Sequence, residues 1–238
     1  MSTWLTKQPF AHRGLHTPRD NIIENSLSAF NLAISNGYGF ELDVLLSKDS
    51  KAIVFHDVNL ERLTGQSGRV IDFYAKELEK LNLNGTEDRV TTLKTVLDNC
   101  KGDAPILIEI KGDQGEIEAI CKAVYYEIKE YHGDVAVMSF YPEITKYFKN
   151  NHPEIRCGLV ATMNDDGEFP VEWYENDFQI NILNTQVLDF IAYDIKSLPN
   201  DTSRYCIRKN LPVLTWTVRS EEDKVHANKH ANNIIFEL

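Results

Sequence analysis

An alternation of segment types constrains the fold more than any other feature of this chain. Short runs rich in β-branched and apolar residues recur at 8–12, 39–47, 105–111, 135–140, 155–161, 190–195, 212–218 and 232–237, with helix-like or turn-like sequence between them. Strands that alternate with helices demand a parallel sheet covered on both faces, and eight such units predict closure into a (β/α)8 TIM barrel, an α/β fold. The helical segments carry their own punctuation. Leu27, Phe30, Leu32, Ala33 and Ile34 have the spacing of an amphipathic helix stopped by Gly37 and capped by Ser26 or Asn25. Residues 115–131 and 220–230 read likewise, whereas 164–189 mixes helix and strand signals.

Length agrees with this expectation, since 238 residues approach the roughly 250 of a single barrel. No Pro-, Gly- or Ser-rich stretch marks a linker, so residues 1–238 are expected to form one domain. The 25 Lys and Arg against 36 Asp and Glu leave a charge of −11, which excludes a basic nucleic-acid binder, although a local cluster of cations or a metal can still hold one phosphate. The N-terminus lacks the apolar stretch of a secretory signal, and no run of about 18 apolar residues occurs, so a cytoplasmic protein without stable membrane insertion is expected. Cys100, Cys121, Cys157 and Cys206 match neither metal-site spacing nor a disulfide framework and are expected to be buried free thiols.

One stretch departs from a plain βα repeat. Lys48–Lys51 reads as a turn and 52–56 is again β-like, which predicts a hairpin after the second strand. A turn centred between Asp49 and Ser50 pairs Val44 with Phe55 and Asp43 with His56, setting an imidazole beside a carboxylate.

Charged residues on apolar strands carry the chemistry. Glu41 and Asp43, two positions apart, point to one face of their strand. Buried like charges are tolerated when a cation lies between them or a proton is shared, and such oxygens suit a hard ion such as Mg²⁺ or Ca²⁺. The alternative is that both acids face solvent at the strand end or pair with internal Lys and Arg. Glu109 and Lys111 repeat the pattern one βα unit later, at the end of a strand where barrels place their active sites. His12, Arg13 and Gly14 end the first strand in a turn, either on the plain surface or at a site where guanidinium meets phosphate oxygens and imidazole moves protons.

Taken together, His12-Arg13-Gly14, Glu24-Asn25-Ser26, Glu41-Leu42-Asp43, Phe55-His56-Asp57, Glu109-Ile110-Lys111 and Trp216-Thr217-Val218 have the order and approximate spacing of motifs in the glycerophosphodiester phosphodiesterases. The chain resembles the bacterial-type, single-domain members of that family from about residue 9 onward. The resemblance implies a TIM barrel that hydrolyses small glycerophosphodiesters to glycerol 3-phosphate and an alcohol with one divalent metal ion. It further implies Glu41, Asp43 and Glu109 as metal carboxylates, His12 and His56 as the acid/base pair, and Arg13 and Lys111 as cations at the phosphate. The attacking group is then water, or a glycerol hydroxyl that first forms a cyclic phosphate. Glu24 and Asn25 would complete the surroundings of the metal or phosphate or serve only as a helix cap, and Trp216 would line the substrate cleft or belong to the core. Residues 57–91 correspond to the family's variable insertion, which helps to select the alcohol.

The chain ends at Ala231–Leu238 in place of the family's glycine-containing terminal motif, with no helix after the last strand, so a shorter and more open rim is expected there. His16 is close enough to His12 to approach the pocket but reads rather as a surface-loop residue, His132, His152, His226 and His230 read as solvated, and Asn164–Glu168 as a solvated turn. Two other functions fit the same fold: a lysophospholipase D or phosphoinositide phospholipase, which needs an apolar membrane-facing rim, and a non-catalytic phosphate-ligand binder, which would have lost a histidine or carboxylate of the set. No amphipathic anchor is evident and all five of those residues are present. Self-association into a homo-oligomer is left open.

Overall fold

A computed structural model describes residues 4–238; the first three residues, part of the segment read for a targeting signal, lie outside the described residues. The eight expected strands are all present. They are β1 (Phe10–Ala11), β2 (Gly39–Leu46), β5 (Ile106–Ile110), β6 (Val135–Ser139), β7 (Arg156–Ala161), β8 (Phe190–Asp194), β9 (Val213–Val218) and β10 (Asn233–Phe236). All pair in parallel, and contacts of β1 with both β10 and β2 close the sheet into a barrel. β3 (Ala52–Val54) and β4 (Thr91–Thr92) extend it antiparallel from the outer half of β2. Helices α1 (Leu27–Ser35), α2 (Glu61–Thr64), α3 (Ala75–Leu78), α4 (Leu93–Cys100), α5 (Ile117–Ile128), α6 (Pro142–Asn151), α7 (Asn176–Gln186), α8 (Asp201–Arg208) and α9 (Glu221–His230) complete the order.

Alternation along the strands sorts the core into layers. Phe40, Leu42 and Val44 of β2 and Ile106, Ile108 and Ile110 of β5 face outward and pack beneath the helices. Inward residues Phe10, Leu107, Met138, Phe190, Leu214 and Ile235 fill the barrel, and Trp4 and Leu5 join that inner cluster. Burying each such large side chain contributes about 1.5–3 kcal/mol. The same period turns Glu41, Asp43 and Glu109 inward above this apolar plug. Register then sets their heights: Glu41 is level with Leu107, and Asp43 with Glu109.

Ser26, rather than Asn25, caps α1 by accepting from the Ala29 N–H, and Ser220 caps α9 through the Asp223 N–H. The mixed stretch 164–189 resolves into a loop, a 3-10 turn at Val171–Tyr174 and α7. The hairpin exists, but its register differs from expectation by one residue. Val44 pairs with Val54, and the Asp43 carbonyl accepts from the Phe55 N–H, so Asp43 does not face His56 across the ladder. The cause is a three-residue turn, Lys48–Ser50, in which Ser50 takes the left-handed conformation (φ 58°) and Ser47 pairs with Lys51. Residues after β3 build a separate apolar cluster of Leu60, Leu63, Val70, Leu78, Leu83 and Val90 against Ile53 and Phe55.

Candidate active site

The loop after β1 turns back sharply over the barrel mouth. Arg13 (φ 54°) and Gly14 (φ 77°) are both left-handed, and the turn is held by Arg13 N–H donating to Glu41 Oε2 at 2.8 Å and by Asn25 N–H donating to the Arg13 carbonyl. Gly14 leaves no room for a side chain, since a Cβ there would come within 2.8 Å of Ala29 Cβ. Asn25, itself at φ 55°, donates from Nδ2 to Asp43 Oδ2 and accepts from the Asp43 N–H. It therefore positions the acid and is not the cap of α1.

Glu41, Asp43 and Glu109 are buried, and oxygens from all three lie within 4.8 Å of one another. Lys111 Nζ is 2.9 Å from Asp43 Oδ1 and 2.5 Å from Glu109 Oε1, while Arg13 Nε is 3.4 Å from Asp43 Oδ2. Burial opposes ionisation of Asp43, but Lys111 and Arg13 outweigh it and hold that carboxyl far below its ordinary range. Glu41 differs. Burial, followed by Asp43 and Glu109, pushes its carboxyl well above the ordinary value, and its Oε1 has no hydrogen-bond partner. An orphaned buried carboxylate oxygen between two further acids is the donor set of a divalent-cation site, so these residues fit a metal ion.

Each of the two imidazoles has a carboxylate behind it. His12 Nδ1 pairs with Glu237 Oε1 at 2.6 Å, with its Nε2 4.0 Å from Glu41 Oε2; His56 Nδ1 pairs with Asp57 Oδ1 at 2.7 Å. Giving Nδ1–H to the carboxylate leaves each Nε2 for a substrate. Burial lowers the His12 pKa, opposed by its bond to Glu237. Arg62, from the insertion, clamps Asp57 and Glu24 together, and Glu24 also binds Arg13 at 2.8 Å.

His12, Arg13, Glu41, Asp43, His56, Glu109, Lys111 and Trp216 line a single cavity of about 280 Å³; Glu24 and Asn25 lie behind its wall. Trp216 forms part of that wall and is half-buried, its indole N–H bonded to the Ala192 carbonyl. A larger groove of about 840 Å³ between α6 and α7 contains none of these residues.

Sequence reasoning missed Glu237, Asp57 and Arg62. Glu237 follows the last strand at the barrel's C-terminal end, a position that could have identified it. His16 is no surface residue, because only 16% of its side chain is exposed and its Nε2 is 4.0 Å from Glu237. His152 stacks on Tyr125, with ring centroids 3.4 Å apart, and His226 donates to the Leu198 carbonyl; both are half-buried and only partly solvated. The turn at Asn164–Glu168 is exposed, yet Asn164 and Asp166 also reach the cavity. All four cysteines are buried and free.

Barrel and mouth together define an enzyme of the α/β-barrel class with charges arranged for an anionic ester. Residues 12–236 match the glycerophosphoryl diester phosphodiesterase family, and the chain belongs to it. A glycerophosphodiester phosphodiesterase 1 of Mus musculus is 24% identical over 251 residues, covering 92% of this chain and 74% of that protein. Among solved structures, a glycerophosphodiester phosphodiesterase from Thermotoga maritima is 25% identical with a TM-score of 0.76, covering 95% of this chain and 92% of the other. An Oleispira antarctica phosphodiesterase, solved in complex with the product sn-glycerol-3-phosphate, shares the fold with a TM-score of 0.83 at 21% identity, over 98% of this chain and 93% of the other.

Proposed function

We propose that the chain hydrolyses glycerophosphodiesters to glycerol 3-phosphate and an alcohol, using one divalent ion, Mg²⁺ or Ca²⁺, held by Glu41, Asp43 and Glu109. The observation that carries this reading is the unpartnered, fully buried oxygen of Glu41 in a mouth that also holds two carboxylate-backed imidazoles. When bound, the ion would supply Lewis acidity toward a phosphoryl oxygen. Arg13 and Lys111 share the stabilisation of charge that grows on phosphorus oxygens as the nucleophile adds. His12, from the end of β1, takes the proton of the attacking hydroxyl or water at Nε2. His56 gives a proton from Nε2 to the departing alkoxide, and Asp57 keeps its ring oriented. Trp216 forms an apolar wall of the substrate cleft.

Residues 1–238 act as one domain in this reading, with 57–91 an insertion within it. The substrate is a small soluble molecule, and among the described residues no helix is long and apolar enough to cross a membrane. Four free thiols suit a reducing compartment, so we assign the protein to the cytoplasm. The test is release of glycerol 3-phosphate from a panel of glycerophosphodiesters, with and without chelator, for wild type and for His12→Ala, His56→Ala and Glu41→Ala. Loss of release on chelation and in each variant is expected; activity that survives chelation, or all three substitutions, overturns the mechanism.

A further inference from the structure

Four Lys or Arg side chains line the catalytic cavity, and three of them already face carboxylates. Arg13 is bound to Glu24 and lies 3.4 Å from Asp43, Lys111 lies between Asp43 and Glu109, and Arg219 is bound to Glu237. Lys196 differs. Its ammonium lines the same space but has no ion pair and no hydrogen bond among the described residues.

Local structure explains why that charge stays free. Asp194, at the end of β8, is two residues away, but both of its oxygens are held elsewhere. Oδ1 accepts from the Lys196 backbone N–H at 3.0 Å, and Oδ2 accepts from the hydroxyls of Thr162 at 2.9 Å and Ser197 at 3.3 Å. Asp166, which also lines the cavity, accepts from the Tyr174 hydroxyl and the Glu168 N–H. Asp194 thereby caps the short 3-10 turn Ile195–Ser197 and fixes the backbone from which the lysine extends. The side chain itself is exposed, a point charge on a flexible stem at the end of the barrel where substrate enters.

A phosphodiester carries one negative charge and must approach a chain whose own charge is −11. Long-range repulsion opposes that approach unless the mouth presents positive charge of its own. A cation paired with a carboxylate contributes little at a distance, because the two fields largely cancel. Of the four, Lys196 alone presents an unopposed charge.

We propose that Lys196 is a substrate-binding residue, which captures the phosphodiester anion at the mouth and holds it through charge. This rests on the hydrolase reading above. Arg13 and Lys111 act on the charge that grows at phosphorus, whereas Lys196 acts on the charge that the substrate brings. Its contribution is therefore the same before and during the reaction, and it is read in KM and not in kcat.

The experiment measures kcat and KM for release of glycerol 3-phosphate from a glycerophosphodiester at ionic strengths of about 0.02 M and about 0.3 M, for wild type, Lys196→Gln, Lys196→Arg and Lys196→Glu. Calorimetric titration of the same proteins with glycerol 3-phosphate gives a binding constant independent of turnover. Lys196 is exposed, so all three replacements are compatible with folding. At the lower ionic strength, Lys196→Gln is expected to raise KM about five- to tenfold with kcat within about twofold, Lys196→Glu to raise it further, and Lys196→Arg to restore most of the loss. The gap between wild type and Lys196→Gln should shrink to about twofold at the higher ionic strength, and the affinity for glycerol 3-phosphate should follow the same order. An unaltered KM in Lys196→Gln, a lower kcat at constant KM, or an arginine variant as impaired as the glutamine one overturns the role of Lys196 and leaves the hydrolase reading intact. No release from wild type overturns the hydrolase reading, and the role of Lys196 with it.

Discussion

His12 Nδ1 lies 2.6 Å from Glu237 Oε1, joining residues 225 positions apart across the closure of the barrel. The carboxylate accepts Nδ1–H and so fixes both the tautomer and the ring's direction, leaving Nε2 toward the acids. Arg219 binds the other side of Glu237 at 2.7 Å, and with His12 it holds that carboxyl far below its ordinary value against the cost of burial. Glu237→Gln keeps the shape but accepts more weakly and can present its amide N–H₂ to the ring. The expected result is a kcat lower by roughly ten- to a hundredfold with KM within about twofold, because the group acts through His12 and not on the substrate. A rise in KM at unchanged kcat would assign Glu237 to binding instead.

Glu41 ties metal affinity to stability. Its unpartnered buried oxygen costs folding free energy unless a cation or a proton meets it. Addition of Mg²⁺ or Ca²⁺ at about a hundred times its Kd contributes about 2.7 kcal/mol, which for a chain of this size corresponds to a Tm rise of roughly 5–10 °C. Glu41→Gln is expected to abolish most of that rise while its metal-free Tm equals or exceeds that of wild type, since the buried acid is gone. Calorimetry with and without the ion checks both. A Tm indifferent to divalent ions in wild type would remove the cation from this cluster.

Arg62 holds two parts of the site at once. Its guanidinium pairs with Asp57 through Nε and Nη2 and with Glu24 through Nη1 and Nη2, so one side chain braces the carboxylate behind His56 and the carboxylate behind Arg13. Because 47% of it is exposed, Arg62→Ala should cost little stability, about 1 kcal/mol or less. Activity should suffer more, with kcat/KM down roughly tenfold. Arg62→Lys should recover little, since an ammonium lacks the planar fork that spans two carboxylates. Full recovery with lysine would show that charge alone suffices.

Glu41, Asp43, Glu109 and Lys111 were legible in the sequence because charge on an otherwise aliphatic strand is costly, and strand periodicity fixes which face it occupies. The eight strands were legible for the same periodic reason. The hairpin register was not, because a single left-handed residue, Ser50, decides between a two- and a three-residue turn, and serine carries no strong signal for it. Glu237 and Arg62 were hidden by distance: their partners His12 and Glu24 are 225 and 38 positions away, and only ring closure or loop folding brings them together. Isolated charged residues in loops look the same whether they face water or a histidine.

The thiols give a test of the core. Cys121 and Cys206 are pushed up to about 12 by burial, and Cys100 and Cys157 are also fully enclosed. Thiolate, the reactive form, is therefore scarce at Cys121 and Cys206, and all four sulfurs are inaccessible. Ellman's reagent at pH 8 should label none of the four in the native protein within minutes and all four in guanidinium chloride. Rapid labelling of any one under native conditions would contradict the packing described for its helix or strand.

Two glycines separate backbone strain from crowding. Gly14 and Gly37 have nearly the same left-handed φ, 77° and 74°, but a Cβ on Gly14 would meet Ala29 Cβ at 2.8 Å and Ala29 C at 2.9 Å, whereas one on Gly37 has nothing within 4 Å. Gly37→Ala should therefore cost only the conformational penalty, about 1–2 kcal/mol. Gly14→Ala adds overpacking against α1 of about 1–3 kcal/mol more. It also disturbs the turn that aims Arg13 N–H at Glu41, so activity should fall with stability, while Gly37→Ala leaves turnover at the wild-type value. Thermal unfolding of the two variants side by side reads the difference, and equal losses of Tm would mean that α1 yields freely and the close approach at Gly14 constrains nothing.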